Sequence, residues 1–227
     1  MVKPHQLYLS QMIEIKRRFR AIDRIIDTKK SFTKNEDIDN ESAFLQVRKI
    51  VELITFSAII SDEQRYKKSR ELDALENPKV KGDFTLDWNA ADILIRLSKI
   101  STHFLPKPLN EMITQENEVK HFNEATAKAT HDRLISIYKT ASGFAHISNP
   151  YKSNFLESEK KKKETARFTL EKEVRYLKSI IWEHVKIGLV WQSSSHPNQP
   201  EQAETAWLVW FGEKGNDKIE MELASAA

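Results

Sequence analysis

The sequence predicts a mainly α-helical protein, in which a bundle of about five helices is followed by a small C-terminal antiparallel β-sheet of three strands. Glycine and proline are scarce, with 5 and 7 residues in a chain of 227, which favours long helices over a fold rich in turns. Apolar residues recur at helical spacing until the last part of the chain, where they alternate instead. We therefore assign residues 1–185 to a helical bundle and residues 186–227 to a β-meander that packs on the bundle or extends from it, as one folding unit.

The first predicted helix covers residues 5–28. Its apolar side chains recur every three or four positions and form one continuous stripe, made of Tyr8, Met12, Ile15, Phe19, Ile22 and Ile26. Arg17, Arg20 and Arg24 form a separate row beside that stripe. Such a row is either the solvated face of the helix, which charges normally cover, or a phosphate-binding edge for nucleic acid.

The second predicted helix covers residues 41–71 and is the centre of the bundle. Its first half, AFLQVRKIVELITFSAII, is apolar over more than half of its circumference, and a helix of that kind is surrounded by other helices. Arg48 and Glu52 lie four positions apart in this half, at the spacing of an ion pair along one side. Beyond Ser61 the sequence turns polar, so this end is predicted to project into solvent.

Three further helices follow. Asp87 is a suitable N-cap for a third helix that ends at FLPKPL, residues 104–109, because proline cannot continue a helix. The fourth helix is predicted over residues 124–146 and the fifth over residues 157–185. The inner face of the fifth helix is predicted to carry Phe168, Val174, Leu177, Ile181 and Val185.

The C-terminal strands are predicted over residues 186–191, 206–211 and 218–223, with a hairpin turn at GEKGND between the last two. The strand AWLVWF is apolar on both faces, so one face covers the bundle while the other needs a second partner. We interpret the second surface as a protein-binding site, most simply in a homodimer, formed by Trp191, Trp207, Leu208 and Trp210. The alternative is that the chain covers these side chains itself.

Composition excludes several classes of function. The net charge of +3, from 36 basic and 33 acidic residues, is too balanced to indicate a nucleic-acid binder on its own. Cysteine is absent, which excludes disulfides, thiolate metal sites and cysteine nucleophiles. The histidines lack metal-binding spacing, and the sequence has no glycine-rich phosphate loop and no Gly-x-Ser-x-Gly elbow. These absences lead us to expect neither a metal ion nor a cofactor. Because we find neither a signal peptide nor a membrane span, we expect a cytoplasmic protein.

His146 ends the helical part of TASGFAHISNPY, residues 140–151, and is the main candidate for a chemical role. The small residues of this stretch predict that a neighbouring helix comes very close to Gly143. In the simplest interpretation the ring of His146 caps the final carbonyls, and Asn149–Pro150 then ends the helix. In the other interpretation His146 is a general base at the surface of the bundle.

A central helix reading FLQVRKIVELI and a later helix ending SGFAHISNPY resemble the HEPN (higher eukaryotes and prokaryotes nucleotide-binding) type of bacterial helical bundle, over about residues 40–185. The resemblance implies a bundle, a dimer, and a role as a ribonuclease, toxin or defence effector. In that type an arginine precedes the histidine by four to six residues, at a groove that dimerisation completes. His146 matches the histidine, whereas positions 139–142 read Lys-Thr-Ala-Ser and provide no arginine.

We therefore predict a catalytically degenerate, HEPN-like interaction protein of bacterial defence or of a toxin–antitoxin system. The alternative hypothesis is a metal-independent ribonuclease in which His146 is the base and Arg48, paired with Glu52, is the cation beside the phosphate. RNA is the partner in that case, although the net charge does not support it. This alternative requires that the helices carrying Arg48 and His146 meet at that level.

Overall fold

The computed structural model describes residues 3–28, 31–77, 81–110, 113–114, 120–121, 125–189 and 203–224. Within these residues the fold is mainly α, as predicted, with most of the strands near the C-terminus. Its six α-helices are α1 (Pro4–Asp27), α2 (Glu36–Ser61), α3 (Glu63–Glu76), α4 (Ala90–Ile100), α5 (His131–Ala145) and α6 (Phe155–Ile181). None of the described helices is long and apolar enough to cross a membrane.

Helix α1 packs on α2 through the apolar stripe that its sequence predicts. The buried members of the stripe are Tyr8, Met12, Ile15, Phe19 and Ile22. Pro4 lies in the first turn, where its missing N–H removes no hydrogen bond from the helix. Arg167 of α6 closes the other end, because its guanidinium donates to the carbonyls of Ile25, at 3.2 Å, and Ile26. These bonds attach α6 to the end of α1.

Helix α2 lies at the centre of the bundle, as predicted. It packs against α1, α4, α5 and α6, and its buried apolar side chains are Ala43, Phe44, Val47, Ile50, Val51, Ile54, Ala58 and Ile59. The Asn35 side chain caps its start, since Oδ1 accepts the Asp37 N–H at 3.0 Å. The helix therefore begins at Glu36, earlier than the predicted residue 41.

The single helix predicted over residues 41–71 is in fact two helices. At Asp62 the backbone leaves the helical region, with φ −125° and ψ 24°, and α3 begins at the next residue. The Asp62 N–H bonds to the Ile59 carbonyl at 3.0 Å, a three-residue step that is typical of a tightened helix end. The prediction that this part projects into solvent is wrong for Tyr66 and Arg70, which are buried.

The starts of α4 and α5 also differ from their predicted positions. Asn89 caps α4, because its Oδ1 accepts the Ala91 N–H at 3.0 Å. The predicted cap, Asp87, lies close to α3 instead, where its carboxylate binds Tyr66. Helix α5 begins at His131 rather than at 124, since Thr130 is its N-cap.

Helix α6 ends at Ile181 rather than at 185, because the chain enters a strand at Glu183. Phe168, which was predicted to face inward, is 73% exposed. The buried row of α6 consists of Ala166, Leu170, Glu173, Val174, Leu177, Ile180 and Ile181. Phe168 lies halfway between Ala166 and Leu170 in the sequence, and it therefore points away from that row.

An antiparallel sheet of four strands, among the described residues, has the order β1, β4, β5, β6. Its strands are β1 (Lys107–Pro108), β4 (Glu183–Leu189), β5 (Ala203–Trp210) and β6 (Glu220–Ala224), while β2 (Ile113–Thr114) and β3 (Lys120–His121) pair with each other. The three predicted C-terminal strands are present with shifted boundaries. Strand β1 is an additional member, and it comes from the segment that was predicted only to stop a helix.

Polar side chains lie where this sheet meets α1. Lys16 is 0% exposed, and its Nζ donates to the carbonyls of Phe211 and, at 2.5 Å, Lys218. These bonds attach the turn between β5 and β6 to α1. Trp207 of β5 packs on Tyr8 with 5.3 Å between the ring centroids. The sheet is therefore held on the bundle by both polar and apolar contacts.

His184 of β4 is buried at the same junction. Its Nδ1 lies 2.8 Å from the Ile181 carbonyl, and a carbonyl can only accept, so Nδ1 carries the proton. Nε2 then accepts from the Tyr8 hydroxyl at 2.7 Å. Burial lowers the pKa of His184 from 6.5 to about 4, since a charged ring would lose its hydration there. The folded protein therefore holds His184 neutral.

We predict that the free energy of unfolding falls as the pH drops from 6.5 towards 4. Above pH 6.5 the ring is neutral in both the folded and the unfolded chain, so the full stability is present. Below that pH the unfolded chain binds a proton that the folded chain does not. Between pH 6.5 and pH 4 this difference lowers the free energy of unfolding by about 3 kcal/mol. Chemical denaturation at a series of pH values measures the slope.

Two variants isolate the contribution of His184. His184→Gln removes the titrating group, so its unfolding free energy should lose this part of the pH dependence. Tyr8→Phe keeps the buried imidazole and should retain the slope at a lower overall stability. An unchanged slope in His184→Gln would contradict the assignment.

Candidate functional site

Arg48 of α2 and His146 at the end of α5 meet at the surface of the bundle. His146 is the C-cap of α5, where the backbone becomes extended while its N–H still bonds to the Ser142 carbonyl at 3.1 Å. Arg48 Nη1 lies 3.3 Å from His146 Nε2. The helices that carry Arg48 and His146 are therefore in contact at the level that the ribonuclease hypothesis requires.

Two neighbours besides His146 hold the guanidinium of Arg48. Nε donates to Glu52 at 3.0 Å, as the spacing of the two residues predicts. Nη2 donates to the Tyr138 hydroxyl at 3.1 Å, and the guanidinium carbon lies 5.1 Å from the centre of the Tyr138 ring. Arg48 and Glu52 are each 21% exposed in their side chains. The cation is thus held from two sides and remains accessible to solvent.

The contact with Arg48 requires that Nε2 of His146 is unprotonated. Arginine has donors and no acceptor, so the contact is a hydrogen bond only when His146 Nε2 offers its lone pair. His146 is exposed to solvent. The arrangement therefore presents a proton acceptor and a fixed cation side by side at the surface.

The charge of Arg48 is stabilised by its neighbours. Partial burial lowers the pKa of Arg48, but the hydrogen bond to Glu52 and the proximity of Tyr138 outweigh that effect, and the pKa is raised overall. Arg48 is therefore a permanent cation, suited to an anion such as a phosphate group.

The start of α6 fixes the end of α5. Lys162 Nζ donates to the His146 carbonyl at 2.9 Å, so a lysine satisfies a carbonyl at this helix end. The ring of Phe144 stacks on Phe44 of α2, with 4.0 Å between centroids and 8° between planes. This stack and the lysine hold the backbone of His146 in place beside α2.

The row of Arg17, Arg20 and Arg24 lies elsewhere, on α1 beside the turn between β5 and β6. Arg17 and Arg20 both bind Asp217, at 2.9 Å and 2.5 Å, and the bond from Arg17 holds the pKa of Asp217 below its usual range. Arg24 is exposed one turn further along. Two of the three cations are thus paired within the chain, and binding of nucleic acid by this row stays a prediction.

The tryptophan surface of the C-terminal strands is largely covered. Trp207 is 5% exposed and Leu208, on the opposite face of β5, is 8% exposed. Trp210 is half-buried, and Trp191 lies outside the described residues. Neither Trp207 nor Leu208 is accessible to a second protein in this structure, because the chain covers both itself.

Two features of α5 differ from what the sequence predicts: the surroundings of Gly143 and the role of the Tyr138 hydroxyl. The prediction that a neighbouring helix comes very close to Gly143 is wrong, since a Cβ placed there would have no atom within 4 Å. The hydroxyl of Tyr138 belongs to the site, and it was not predicted from the sequence. Its position two helical turns before His146 places both on one side of α5, which is the signal that could have found it.

No protein-family model matches the chain, and no curated protein or solved structure matches it either. Among the described residues, no group of three or more His, Asp and Glu side chains is placed to hold a metal ion.

We predict that neutral His146 carries its proton on Nδ1, because Arg48 occupies Nε2 as a donor. Long-range proton–nitrogen NMR spectra distinguish the two tautomers of each histidine. His184 is an internal reference, since the Ile181 carbonyl fixes its proton on Nδ1 as well.

The variant Arg48→Met removes the donor and should release His146 from this preference, while leaving His184 unchanged. A His146 ring with its proton on Nε2 in the unmodified protein would show that the contact with Arg48 does not form in solution.

Proposed function

We propose that this protein is a metal-independent ribonuclease whose reacting groups are His146 and Arg48. The observation that supports the proposal best is the 3.3 Å contact between Arg48 Nη1 and His146 Nε2, which joins two helices over 98 positions of the chain. Cleavage of RNA by its own 2′-hydroxyl needs a proton acceptor and a cation beside the phosphate. These are the two groups that the contact brings together at the surface.

In the proposed reaction the RNA phosphate takes the place of His146 as the partner of Arg48 Nη1, and the freed lone pair of His146 Nε2 accepts the proton of an RNA 2′-hydroxyl. The 2′-oxygen then bonds to the adjacent phosphorus, and the bond from phosphorus to the 5′-oxygen of the next nucleotide breaks. The leaving 5′-oxygen takes a proton from water, so the products are a 2′,3′-cyclic phosphate and a 5′-hydroxyl. Arg48 stabilises the negative charge that develops on the other phosphate oxygens.

Glu52 and Tyr138 have positioning roles in this proposal. Glu52 holds the Nε edge of Arg48, so the Nη groups turn towards His146 and the solvent. Tyr138 is buried, and its hydroxyl oxygen accepts from Arg48 Nη2 at 3.1 Å. Glu52 and Tyr138 together therefore hold the guanidinium in place beside His146.

A second candidate is a catalytically degenerate, HEPN-like interaction protein, in which the same contacts only join the helices. The observation that favours it is a set of large apolar side chains in water directly after His146. Ile147 and Tyr151 are each 94% exposed, and Leu156 is 82% exposed. Exposed apolar side chains of this size are typical of an interaction surface, for example in a homodimer.

We predict that the purified protein cleaves single-stranded RNA or tRNA in the presence of a chelator. His146→Ala should lower the rate by about 10²–10⁴-fold, because a positioned general base contributes that much. Arg48→Met should lower it as well, through the loss of charge stabilisation at the phosphate. Gel analysis of end-labelled RNA, with detection of 2′,3′-cyclic phosphate ends, measures both effects.

His131→Ala is the matched control, because His131 lies at the opposite end of the same helix. It should cleave RNA at the rate of the unmodified protein. RNA that stays intact, or that is cut equally well by His146→Ala, would contradict the ribonuclease and favour the interaction protein.

A further inference from the structure

A separate pocket lies between α3, the 3₁₀ turn at Phe84–Leu86 and the start of α4. It is open to solvent and has a volume of about 310 Å³, at the lower end of the range for small-molecule sites. The residues that define its chemistry are Tyr66, Arg70, Asp87, Trp88, Asp92 and Arg96. The pocket shares no residue with the contact between Arg48 and His146, so binding of a ligand here does not require the proposed ribonuclease activity.

The floor of the pocket is a fixed polar network. The Tyr66 hydroxyl donates to Asp87 Oδ2 at 2.8 Å, and Arg70 Nε lies 3.0 Å from the same oxygen. Arg70 also donates from Nη2 to the Lys81 carbonyl at 2.7 Å. Tyr66 and Arg70 are buried. Because each group is held by a partner, the floor offers a rigid polar surface.

The mouth of the pocket is aromatic and apolar. Trp88 lines it and is 70% exposed, while Leu86 beside it is 52% exposed. An indole in water next to a polar pocket offers a π-face on which a second flat ring can stack. Stacking of this kind binds every nucleobase to a similar extent.

The charges of the pocket do not select a phosphate. Arg70 is paired with Asp87, and Arg96 donates from Nη1 to Asp73 and Ser69. Asp92 is exposed at the rim and adds a negative charge. The lining thus holds two cations and two carboxylates, and Asp73 outside the lining pairs with Arg96, so no surplus cation remains to attract an anion.

The rim also offers both kinds of hydrogen-bonding group. The carboxylate of Asp92 is a hydrogen-bond acceptor, and the amide nitrogen of Asn89 is a donor group next to the oxygen that caps α4. A flat, uncharged ring with donors and acceptors along its edge satisfies these groups and Trp88 at once. We propose that this pocket binds a nucleobase, either of a free nucleoside or of an RNA strand, by stacking on Trp88 and hydrogen bonding at the rim.

Titration of the full-length protein with the four ribonucleosides, their 5′-monophosphates and a short single-stranded RNA tests this assignment. The indole N–H resonance of Trp88, identified by its loss in Trp88→Phe, should shift in a saturable way. A nucleoside should bind at least as tightly as its monophosphate, because the pocket lacks a surplus cation. Binding of nucleosides alone indicates a free ligand, whereas binding of the RNA as well indicates a base in a strand.

Trp88→Ala should weaken binding about tenfold or more, as expected for the loss of one stacked base. Trp88→Phe should retain part of the affinity. Leu75→Ala, at a side chain of α3 that is 80% exposed and outside the pocket, is the matched control and should bind normally. The proposal is overturned if no nucleoside or RNA shifts the Trp88 resonance, or if Trp88→Ala binds as tightly as the unmodified protein.

Discussion

The enclosure of α2 by its neighbouring helices is the constraint on which the rest of the structure depends. Phe44, Val47, Ile50 and Ile54 are all 0% exposed, and burial of each such side chain contributes about 1.5–3 kcal/mol. Close packing of these side chains against α1, α4, α5 and α6 holds α2 in its position among its neighbours. Arg48 and Glu52 lie at the margin of this surface, and the same packing therefore places them beside the end of α5.

The site follows from this packing together with one local feature. Helix α5 ends at Ala145, so His146 leaves the helical backbone at the level of Arg48. The stack of Phe44 on Phe144 fixes that level, because it joins α2 and α5 a few residues from each functional group. Cation and proton acceptor are thus brought together by apolar contacts, while their own hydrogen bonds adjust the final geometry.

Periodic patterns allowed much of the fold to be predicted from the sequence. The stripe of α1, the burial of α2 and the pairing of Arg48 with Glu52 all follow from spacings within one helix. The contact between Arg48 and His146 could not be predicted from the sequence, which showed only that a ribonuclease would require it. The contact depends on how two helices pack, and spacings within one helix do not determine that. The N-cap of α4 was misassigned for a similar reason, because Asp87 has tertiary partners in Tyr66 and Arg70 that no local pattern reveals.

The burial of residues in the sheet was predicted least well. The sequence shows that both faces of β5 are apolar, but it does not show that Trp207 packs on Tyr8 or that Leu208 is covered. Strand β1 was missed because two residues with a proline give no period, and their pairing with β4 is a long-range contact. The pattern of apolar residues predicts that a side chain is buried, whereas the tertiary fold determines which part of the chain covers it.

Native-state hydrogen exchange of the α2 backbone amides tests the central claim most directly. If neighbouring helices enclose α2, the amides from Val47 to Ala58 exchange only when the whole protein unfolds, and their exchange free energies equal the global free energy of unfolding. Exchange of these amides through local opening, at free energies well below the global value, would show that α2 is not the enclosed centre. The placement of Arg48 against His146 would then lose its physical basis.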